Sequence, residues 1–554
     1  MPRVRLRLLA TLLAVSSFSA LAIHLANAQH TGIDTYAITN ARVVPVSGAS
    51  IERGTVVIRN GLIAAVGANV TPPSDARVID GTGLTIYPGL IDSYTNLALP
   101  EASPSPSAGA GGAGGFFLQQ QVTSRVSGPN STQPVGLQPE TMVEDVIRTG
   151  GTDLENARNV GFTSALTLPR TGIWIGQSAL INLSGETPQQ MIVRSPVAMH
   201  VGFTPLRGGY PGSLMGVFAT LRQMMLDAQR YRDSMKIYES SPRGVRRPDT
   251  DRSLQALVPV IEGKLPVVML ANTEREITRA LDLAAEFKLK LIIAGGRESD
   301  RLTARLLKQD VPVLLSLNLP RRTTAAMPEA DPEPLRVLRE RVDAQQTAGK
   351  LAKAKVRFAF ESGSLANASD IMVNASRTIE NGLSADDALR AFTIWPAEIL
   401  GLANQIGSIQ VGKIANLTVT RGDLFDRNSR ITHVFIDGRP VDIRPAQSSG
   451  QGSGRSLTGA WTLNINLGEE KTVSLNLRQE GDRLTGSIQG SLGSAEISNA
   501  STGNDIRFTV VLNLEGQTRE ASFIGTVLGN EIRGSVTMEG HAPGTFTAIK
   551  NVPN

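Results

Sequence analysis

Residues 266–317 read PVVMLANTEREITRALDLAAEFKLKLIIAGGRESDRLTARLLKQDVPVLLSL and alternate between two patterns. Three apolar runs, at residues 266–271, 289–294 and 311–317, have the length and composition of buried strands. Between them, residues 274–287 and 297–309 carry apolar side chains at steps of three and four, which is typical of helices with one buried face. This rhythm predicts parallel strands joined by crossover helices.

The same rhythm extends over about residues 140–400 and includes a further apolar run at residues 163–168. It predicts an α/β fold, with a parallel barrel that we place at residues 87–404. A doubly wound open sheet is the alternative that the pattern leaves open.

Two strand-like regions flank the predicted barrel. Residues 36–86 and 405–443 alternate apolar and polar side chains, and Asn60-Gly61 between two apolar runs indicates a tight hairpin. We expect the two regions to form one discontinuous β domain. Inside the barrel segment, residues 101–139 are rich in Gly, Ser, Pro, Ala and Gln, and they predict a flexible surface insertion.

A separate all-β domain is predicted at the carboxyl end. Residues 445–455 have the composition of a linker, and residues 456–554 contain about eight short alternating runs separated by turn residues. This spacing predicts a small antiparallel barrel or sandwich.

The first 28 residues have the features of a signal peptide. Three arginines precede a mostly apolar stretch, and Ala26-Asn27-Ala28 is a small-x-small cleavage site, so the mature chain would begin at Gln29. An uncleaved anchor helix is the alternative. We expect an exported protein, periplasmic or secreted, with no membrane span after signal cleavage.

Charge and cysteine content exclude several classes of function. Removing the signal peptide takes away three arginines and no acid, and so lowers the formal charge from +5 to +2, which gives no indication of nucleic-acid binding. The chain has no cysteine. Disulfides, zinc–thiolate sites, iron–sulfur clusters and cysteine nucleophiles are therefore excluded.

Two sets of motifs carry a family resemblance. Residues 40–44 (NARVV), 54–67 (GTVVIRNGLIAAVG) and 86–92 (IYPGLID) resemble the start of metal-dependent amidohydrolases, above all the imidazolonepropionase-related branch. Residues 393–402 (TIWPAEILGL) and 406–417 (IGSIQVGKIANL) resemble the end of that family. The resemblance implies a TIM-like (β/α)8 barrel with a discontinuous composite β-sandwich. It also implies hydrolysis of non-peptide carbon–nitrogen bonds in cyclic or linear amides.

The chemistry of the family depends on a divalent metal, usually zinc, that activates water. The resemblance implies ligands at the strand ends: His-x-His on the first barrel strand, a carboxylated Lys or a Glu on the fourth, single His on the fifth and sixth, and Asp on the eighth. This chain carries other residues at every position that can be aligned, and no counterpart of the bridging lysine can be placed. The substitutes are Tyr94 and Asn96 on the first strand, Leu270 on the fifth, Gly295 or Gly296 on the sixth, and Gly363 near the acid of the eighth.

A count of histidines leads to the same expectation without alignment. The five histidines are His24, His30, His200, His433 and His541, and only His200 falls in the predicted barrel proper. It is either a single ligand or a hydrogen-bonded core histidine. A site with several imidazoles cannot be built, so we expect a degenerate metal site that does not hold zinc and no other cofactor.

Oxygen ligands are the alternative to imidazoles. Asp92, Glu298 and Glu361 fall near predicted strand ends, where barrels place their chemistry, and together they could hold Mg²⁺ or Ca²⁺. The competing interpretation is that Asp92 is structural and that the two glutamates are solvated or salt-bridged.

Three functions remain open from the sequence. The first is an amidohydrolase-family protein, by resemblance a hydrolase of carbon–nitrogen bonds, in which zinc-dependent turnover is lost. The second is an active enzyme with a site rebuilt around Asp92, Glu298 and Glu361. The third is a non-catalytic binding or partner subunit of an intact homologue. The expected partners are a small amide or cyclic-amide ligand, and a homologous amidohydrolase or a second copy of the chain.

The C-terminal domain has a resemblance of its own. Residues 457–461 (LTGAW) and 544–548 (GTFTA) are similar to the ends of small lipocalin-like, calycin-type barrels. Such a barrel either holds an apolar ligand or has an interior filled by its own side chains.

Overall fold

The computed structural model describes residues 35–100, 133–170, 172–206, 209–320, 334–363, 365, 368–426, 429–443, 457–466, 470–480, 483–490, 493–501, 505–514, 517–528, 531–538 and 544–551. The predicted signal peptide at residues 1–28, the predicted linker at 445–455 and most of the predicted insertion at 101–139 lie outside these residues. The chain divides into two units, Met1–Ile443 and Arg444–Asn554, and each is described by itself.

The strands of the first unit are β1 (Thr35–Val43), β2 (Ile51–Arg59), β3 (Leu62–Gly67), β4 (Arg77–Asp80), β5 (Thr85–Pro88), β6 (Leu90–Thr95), β7 (Phe162–Thr167), β8 (Trp174–Gln177), β9 (Ala179–Asn182), β10 (Ile192–Arg194), β11 (Met199–Gly202), β12 (Val267–Ala271), β13 (Leu291–Gly295), β14 (Val313–Ser316), β15 (Phe358–Glu361), β16 (Leu417–Arg421), β17 (Arg430–Ile436) and β18 (Arg439–Val441).

Its α-helices are α1 (Thr152–Asn159), α2 (Pro188–Met191), α3 (Leu214–Ser240), α4 (Arg252–Ile261), α5 (Glu274–Phe287), α6 (Thr303–Lys308), α7 (Leu335–Lys353), α8 (Ser369–Glu380), α9 (Ala385–Phe392) and α10 (Ile394–Ile399), and short 3₁₀ helices lie at Val143–Asp145 and Ser299–Leu302.

Strands from both ends of this unit form one eight-stranded sheet. Its order is β18-β17-β16-β5-β1-β2-β3, with β4 paired to β1. The junction is the antiparallel pair of β5 with β16. The predicted hairpin joins β2 to β3 through Asn60 and Gly61, whose φ angles of 52° and 79° are those that a two-residue turn with two left-handed positions requires.

The barrel is built from two runs of parallel strands. Strands β6 and β7 pair in parallel, and β11, β12, β13, β14 and β15 pair in parallel in that order. Where β6 meets β15, the Ser93 hydroxyl donates to the Phe360 carbonyl oxygen at 2.6 Å. The predicted α/β barrel is therefore present.

The third position around the barrel departs from the parallel pattern. Strands β8 and β9 are separated only by Ser178, and this segment pairs antiparallel with β11 through β8 and with β7 through β9. Residues 168–173 connect it to β7, and so short a link cannot hold a crossover helix. A hairpin therefore replaces one βα unit.

The predicted helix at residues 274–287 is α5. It begins with a reciprocal capping box in which the Thr273 hydroxyl accepts from Glu276 N–H and the Glu276 carboxylate accepts from Thr273 N–H. The predicted helix at 297–309 is instead a 3₁₀ turn, Ser299–Leu302, followed by the short α6. Gly295 and Gly296, which precede this segment, both have positive φ and turn the chain. The first residues of the predicted helix therefore belong to that turn.

A buried amide ties the sheet to the barrel. Asn416 Nδ2 donates to Ser164 Oγ at 2.9 Å and to Asn182 Oδ1 at 2.8 Å, and Asn416 Oδ1 accepts from Asp437 N–H at 2.8 Å. Ser164 lies on β7 and Asn182 on β9, so one side chain connects three segments that are distant in sequence.

The second unit is a closed antiparallel barrel of eight strands, as predicted. They are β19 (Gly459–Asn466), β20 (Glu470–Glu480), β21 (Arg483–Gly490), β22 (Gly493–Ser501), β23 (Asp505–Leu514), β24 (Gln517–Leu528), β25 (Glu531–Met538) and β26 (Gly544–Lys550). Buried apolar side chains form its core. The ring of Phe508 stacks on that of Phe523 with centroids 4.8 Å apart, and Phe546 packs edge-on against both rings, at 6.4 and 5.2 Å. Across the described residues of both units, no helix is long and apolar enough to span a membrane.

Candidate functional site

Two carboxyl groups meet at the carboxyl end of the barrel strands, which is where barrels of this class place their chemistry. Asp92 lies on β6 and Glu361 is the last residue of β15. The N–H of Ser362 donates to Asp92 Oδ1 at 3.0 Å, and the N–H of Gly363 donates to Glu361 Oε2 at 3.0 Å. The backbone that follows β15 thus holds both carboxyl groups.

Both acids are buried, each with 2% of its surface exposed. Burial raises the pKa of Asp92 to about 6, against the opposing effect of hydrogen bonds from Ser362. Burial and the neighbouring charge of Asp92 raise the pKa of Glu361 to about 8, although hydrogen bonds from Gly363, Ser316 and Gly295 oppose the shift. At neutral pH the pair therefore keeps a proton, because ionising both of two neighbouring buried carboxyl groups has a high free-energy cost.

Tyr94 and His200 provide an aromatic contact beside this pair. The centroids of the two rings are 5.5 Å apart. His200, on β11, is fully buried, and neither of its ring nitrogens has a hydrogen-bond partner. Burial lowers the pKa of His200 to about 3 and raises that of Tyr94, with the charge of Glu361 adding to the latter shift. Both side chains are neutral, so neither compensates the carboxyl pair.

The other positions where the resemblance implies ligands are used for structure. The Asn96 amide donates to the Leu168 carbonyl oxygen at 2.8 Å. Leu270 packs against the apolar side chains that fill the barrel interior. Gly295 offers only its backbone, which bonds to Glu361, and the Gly363 carbonyl oxygen accepts from the Asn318 amide at 2.9 Å.

Glu298, the third predicted carboxylate, serves a different part of the fold. Its Oε2 accepts from the N–H of Glu274 at the start of α5 at 2.7 Å, and its Oε1 lies 3.2 Å from Arg301 Nη1. The structure therefore brings Asp92 and Glu361 together and ties Glu298 to a helix start and an arginine. This arrangement agrees with the salt-bridged alternative for Glu298.

The donor set at the strand ends is thus two acids and one imidazole that are not arranged around a common centre. Within the described ranges, no group of three or more His, Asp or Glu side chains is placed to hold a metal ion. The supports of the pair, the Ser93 hydroxyl and the N–H groups of Ser362 and Gly363, were not predicted from the sequence. A backbone N–H donor is present in almost every residue type, so the sequence does not reveal which ones bind a side chain. The contact of Ser93 with Phe360 joins residues that are far apart in sequence, so no local pattern predicts it.

Comparisons with known proteins agree with the fold. The profile described as "Amidohydrolase family" matches residues 332–441. A dihydroorotase from Pelobacter propionicus is 31% identical over 102 residues, which are 18% of this chain and 22% of that protein. An adenine deaminase from Listeria monocytogenes is 30% identical over 110 residues, 20% of this chain and 17% of that protein. The chain thus matches about a fifth of the length of these curated relatives.

The match to solved structures is broader. An amidohydrolase from Thermotoga maritima MSB8 superposes with a TM-score of 0.62 at 25% identity, covering 74% of this chain and 100% of that chain. That coverage is larger than either sequence match. The chain therefore carries an amidohydrolase-family domain, together with a closed eight-stranded antiparallel β-barrel.

Proposed function

We propose that this chain is an exported amidohydrolase-family protein that has lost zinc-dependent hydrolysis of carbon–nitrogen bonds and works as a binding or partner subunit. The observation that carries the proposal is the set of side chains at the strand ends. Tyr94, Asn96 and Leu270 occupy positions where the resemblance implies imidazoles, and each makes an apolar, aromatic or structural contact. A neutral phenol, an amide and an alkyl group are poor zinc ligands.

The carboxyl pair supports the same proposal. Asp92 and Glu361 accept hydrogen bonds from the backbone N–H groups of Ser362 and Gly363, and among the described residues no third His, Asp or Glu side chain converges with them. A catalytic zinc site needs three protein ligands around one centre. The carboxyl pair alone does not provide that set.

Metal content and turnover test the proposal together. The mature protein, expressed in zinc-supplemented medium and dialysed, should hold far less than one zinc per chain by mass spectrometry. It should not hydrolyse dihydroorotate or deaminate adenine, the substrates named for its relatives. One tightly held zinc per chain, lost in Asp92→Asn and Glu361→Gln, would overturn it.

The partner role has its own experiment. An affinity-tagged mature chain should recover an intact amidohydrolase, or a second copy of itself, from the periplasmic fraction of its own cells. The variant Glu361→Gln should leave that recovery unchanged, because a partner surface does not depend on a buried carboxyl group. Recovery of a monomer without partner would contradict the partner role and leave small-ligand binding as the function.

Metal-free acid–base hydrolysis is a second candidate, favoured by the raised pKa values alone. A carboxyl group that keeps its proton near neutral pH is suited to donate it to a leaving nitrogen. This candidate predicts turnover of a cyclic amide in excess chelator, abolished by Glu361→Gln. The leading proposal predicts no turnover in the parent protein.

A further inference from the structure

A cleft lies near the amino end of β15, whereas Glu361 of the carboxyl pair lies at the carboxyl end of that strand. It is an open cleft of about 470 Å³ between the loop after β1 and the helices α9 and α10. Trp395 lines the cleft, and its ring centroid lies 5.0 Å from that of Phe358. Phe358 is the first residue of β15 and Glu361 is the last. The volume is in the range of small-molecule sites.

The floor of the cleft holds a buried ammonium group. Lys413 has 7% of its surface exposed, and its Nζ donates to Ser408 Oγ at 2.6 Å. An ammonium group has three donors, and the described residues offer this one no carboxylate within ion-pair distance. Desolvation lowers the pKa of Lys413, and the nearby charge of Glu398 opposes that shift. A buried cation with donors to spare calls for an acceptor from outside the chain.

The other lining residues complete a binding surface. Arg390 is exposed at the rim with no ion pair in the described structure, and Gln410 adds an amide. Trp395 is only partly buried and adds an aromatic side chain to the lining. With Glu398 as the single acid, two cations face one anion, so the lining carries one net positive charge.

The rim also contains backbone strain. Val46 lines the cleft and has a φ of 68°, in the left-handed region that β-branched residues strongly avoid. Such strain is concentrated at ligand clamps and active sites, where the surrounding structure holds it in place.

We propose that this cleft binds a small organic monocarboxylate, with the carboxylate between Lys413 and Arg390 and a flat apolar part on Trp395. The single net positive charge matches a monoanion. Glu398 disfavours inorganic phosphate, which at neutral pH carries more than one negative charge on average and has no apolar part to place on Trp395. The proposal does not depend on the function proposed for the barrel, because the cleft lies near the amino end of β15 and its lining does not include Asp92 or Glu361.

Tryptophan fluorescence of the full mature chain provides the readout. Of the three tryptophans, Trp174 and Trp461 are each 1% exposed, so a ligand-induced change reports on Trp395. Benzoate should quench the emission saturably, with a Kd on the order of 1 mM. Benzamide, the neutral analogue, and inorganic phosphate should bind much more weakly, and Trp395→Phe should remove the signal.

Two variants separate binding from folding. Lys413→Met should weaken benzoate binding by about tenfold or more, because it removes a desolvated charge partner. Arg390→Gln changes an exposed side chain and should weaken benzoate binding without altering the unfolding midpoint. This variant therefore tests the binding site even if Lys413→Met fails to fold. Arg275→Gln, an exposed arginine on α5, is the matched control and should bind benzoate as the parent does.

Three results would overturn the proposal. One is the absence of saturable quenching by benzoate up to roughly ten times the expected Kd. Another is equal or tighter binding of benzamide or phosphate, which would exclude a carboxylate as the preferred ligand. The third is undiminished benzoate affinity in Arg390→Gln.

Discussion

The ring of Tyr94 lies against the ring of His200 in the barrel interior, with 5.5 Å between centroids and 58° between the ring planes. Tyr94 stands where the resemblance implies a first-strand metal ligand, and His200 is fully buried with no partner for either nitrogen. The contact is therefore one of packing between neutral rings. It gives the buried imidazole an aromatic neighbour but no hydrogen-bonding partner among the described residues.

This contact predicts that His200→Leu is tolerated. An unpaired buried polar group destabilises a fold, whereas an apolar side chain of similar size in its place is neutral or stabilising. We expect the free energy of unfolding to rise by about 1 kcal/mol, measured by urea denaturation. His433→Leu is the matched control and should not stabilise, because His433 is only half-buried and lies 3.2 Å from Thr432 Oγ1. A loss of more than about 1 kcal/mol in His200→Leu would show that the imidazole has a partner in solution.

The carboxyl pair predicts an unusual dependence of stability on pH. Both folded-state pKa values, about 6 for Asp92 and about 8 for Glu361, lie above the ordinary values of 3.8 and 4.5. Between about pH 4 and 8 the folded chain therefore holds protons that the unfolded chain releases, and these groups favour unfolding increasingly as the pH rises. Each retained proton contributes a slope of up to about 1.4 kcal/mol per pH unit.

The variant Glu361→Gln isolates this contribution, since the amide cannot ionise. Relative to the parent, it should gain stability as the pH rises from 5 to 8, measured by denaturation at each pH. Glu340→Gln, on α7 and only partly buried, should follow the parent curve. Parallel curves for the parent and Glu361→Gln would mean that Glu361 titrates normally.

The Asn416 network predicts a large loss of stability for Asn416→Ala. The substitution leaves the buried groups of Ser164 and Asn182 without the amide and frees the N–H of Asp437. We expect a loss of roughly 2–4 kcal/mol in the free energy of unfolding. Asn404→Ala, at an exposed position, should change it by less than about 0.5 kcal/mol. Equal effects at both positions would mean that the network is not formed in solution.

The packed aromatic core of the second unit predicts that it does not bind apolar ligands. Phe523 is fully buried and its ring stacks on Phe508 at 4.8 Å with 8° between planes. A fluorescent fatty acid should not bind the parent saturably, whereas Phe523→Ala should open a cavity and lose about 3–5 kcal/mol of stability. Saturable binding to the parent, competed by oleate, would favour the lipocalin-like alternative.

Elements with a strong local period were predictable from the sequence. Helix α5 and the hairpin at Asn60-Gly61 depend on periodicity, capping and turn chemistry, which are encoded within a few residues. The antiparallel segment at β8 and β9 was not predicted, because a short apolar run has no direction until its neighbours are known. The break between Ser299–Leu302 and α6 was also missed, because a 3₁₀ turn shares most of the spacing of an α-helix.

The site was predictable in part, because the apolar runs of the sequence indicate where the barrel strands end. The sequence placed Asp92 and Glu361 at strand ends, and the structure brings them together. It also placed Glu298 at a strand end, but its side chain turns to the N–H of Glu274 and to Arg301. The direction of a side chain at a strand end depends on the local turn, and here two glycines at positive φ precede it. Strand position alone could not separate the pair from the third acid.

The pairing of β5 with β16 has a consequence for synthesis. Residues 85–88 leave the ribosome early, and their partners at residues 417–420 leave it only after the whole barrel has been made. During that interval β5 exposes an unpaired edge, and such edges are the usual starting points of aggregation. We expect this sheet to form last. The domain is therefore most prone to aggregation in the interval between the synthesis of β5 and that of β16.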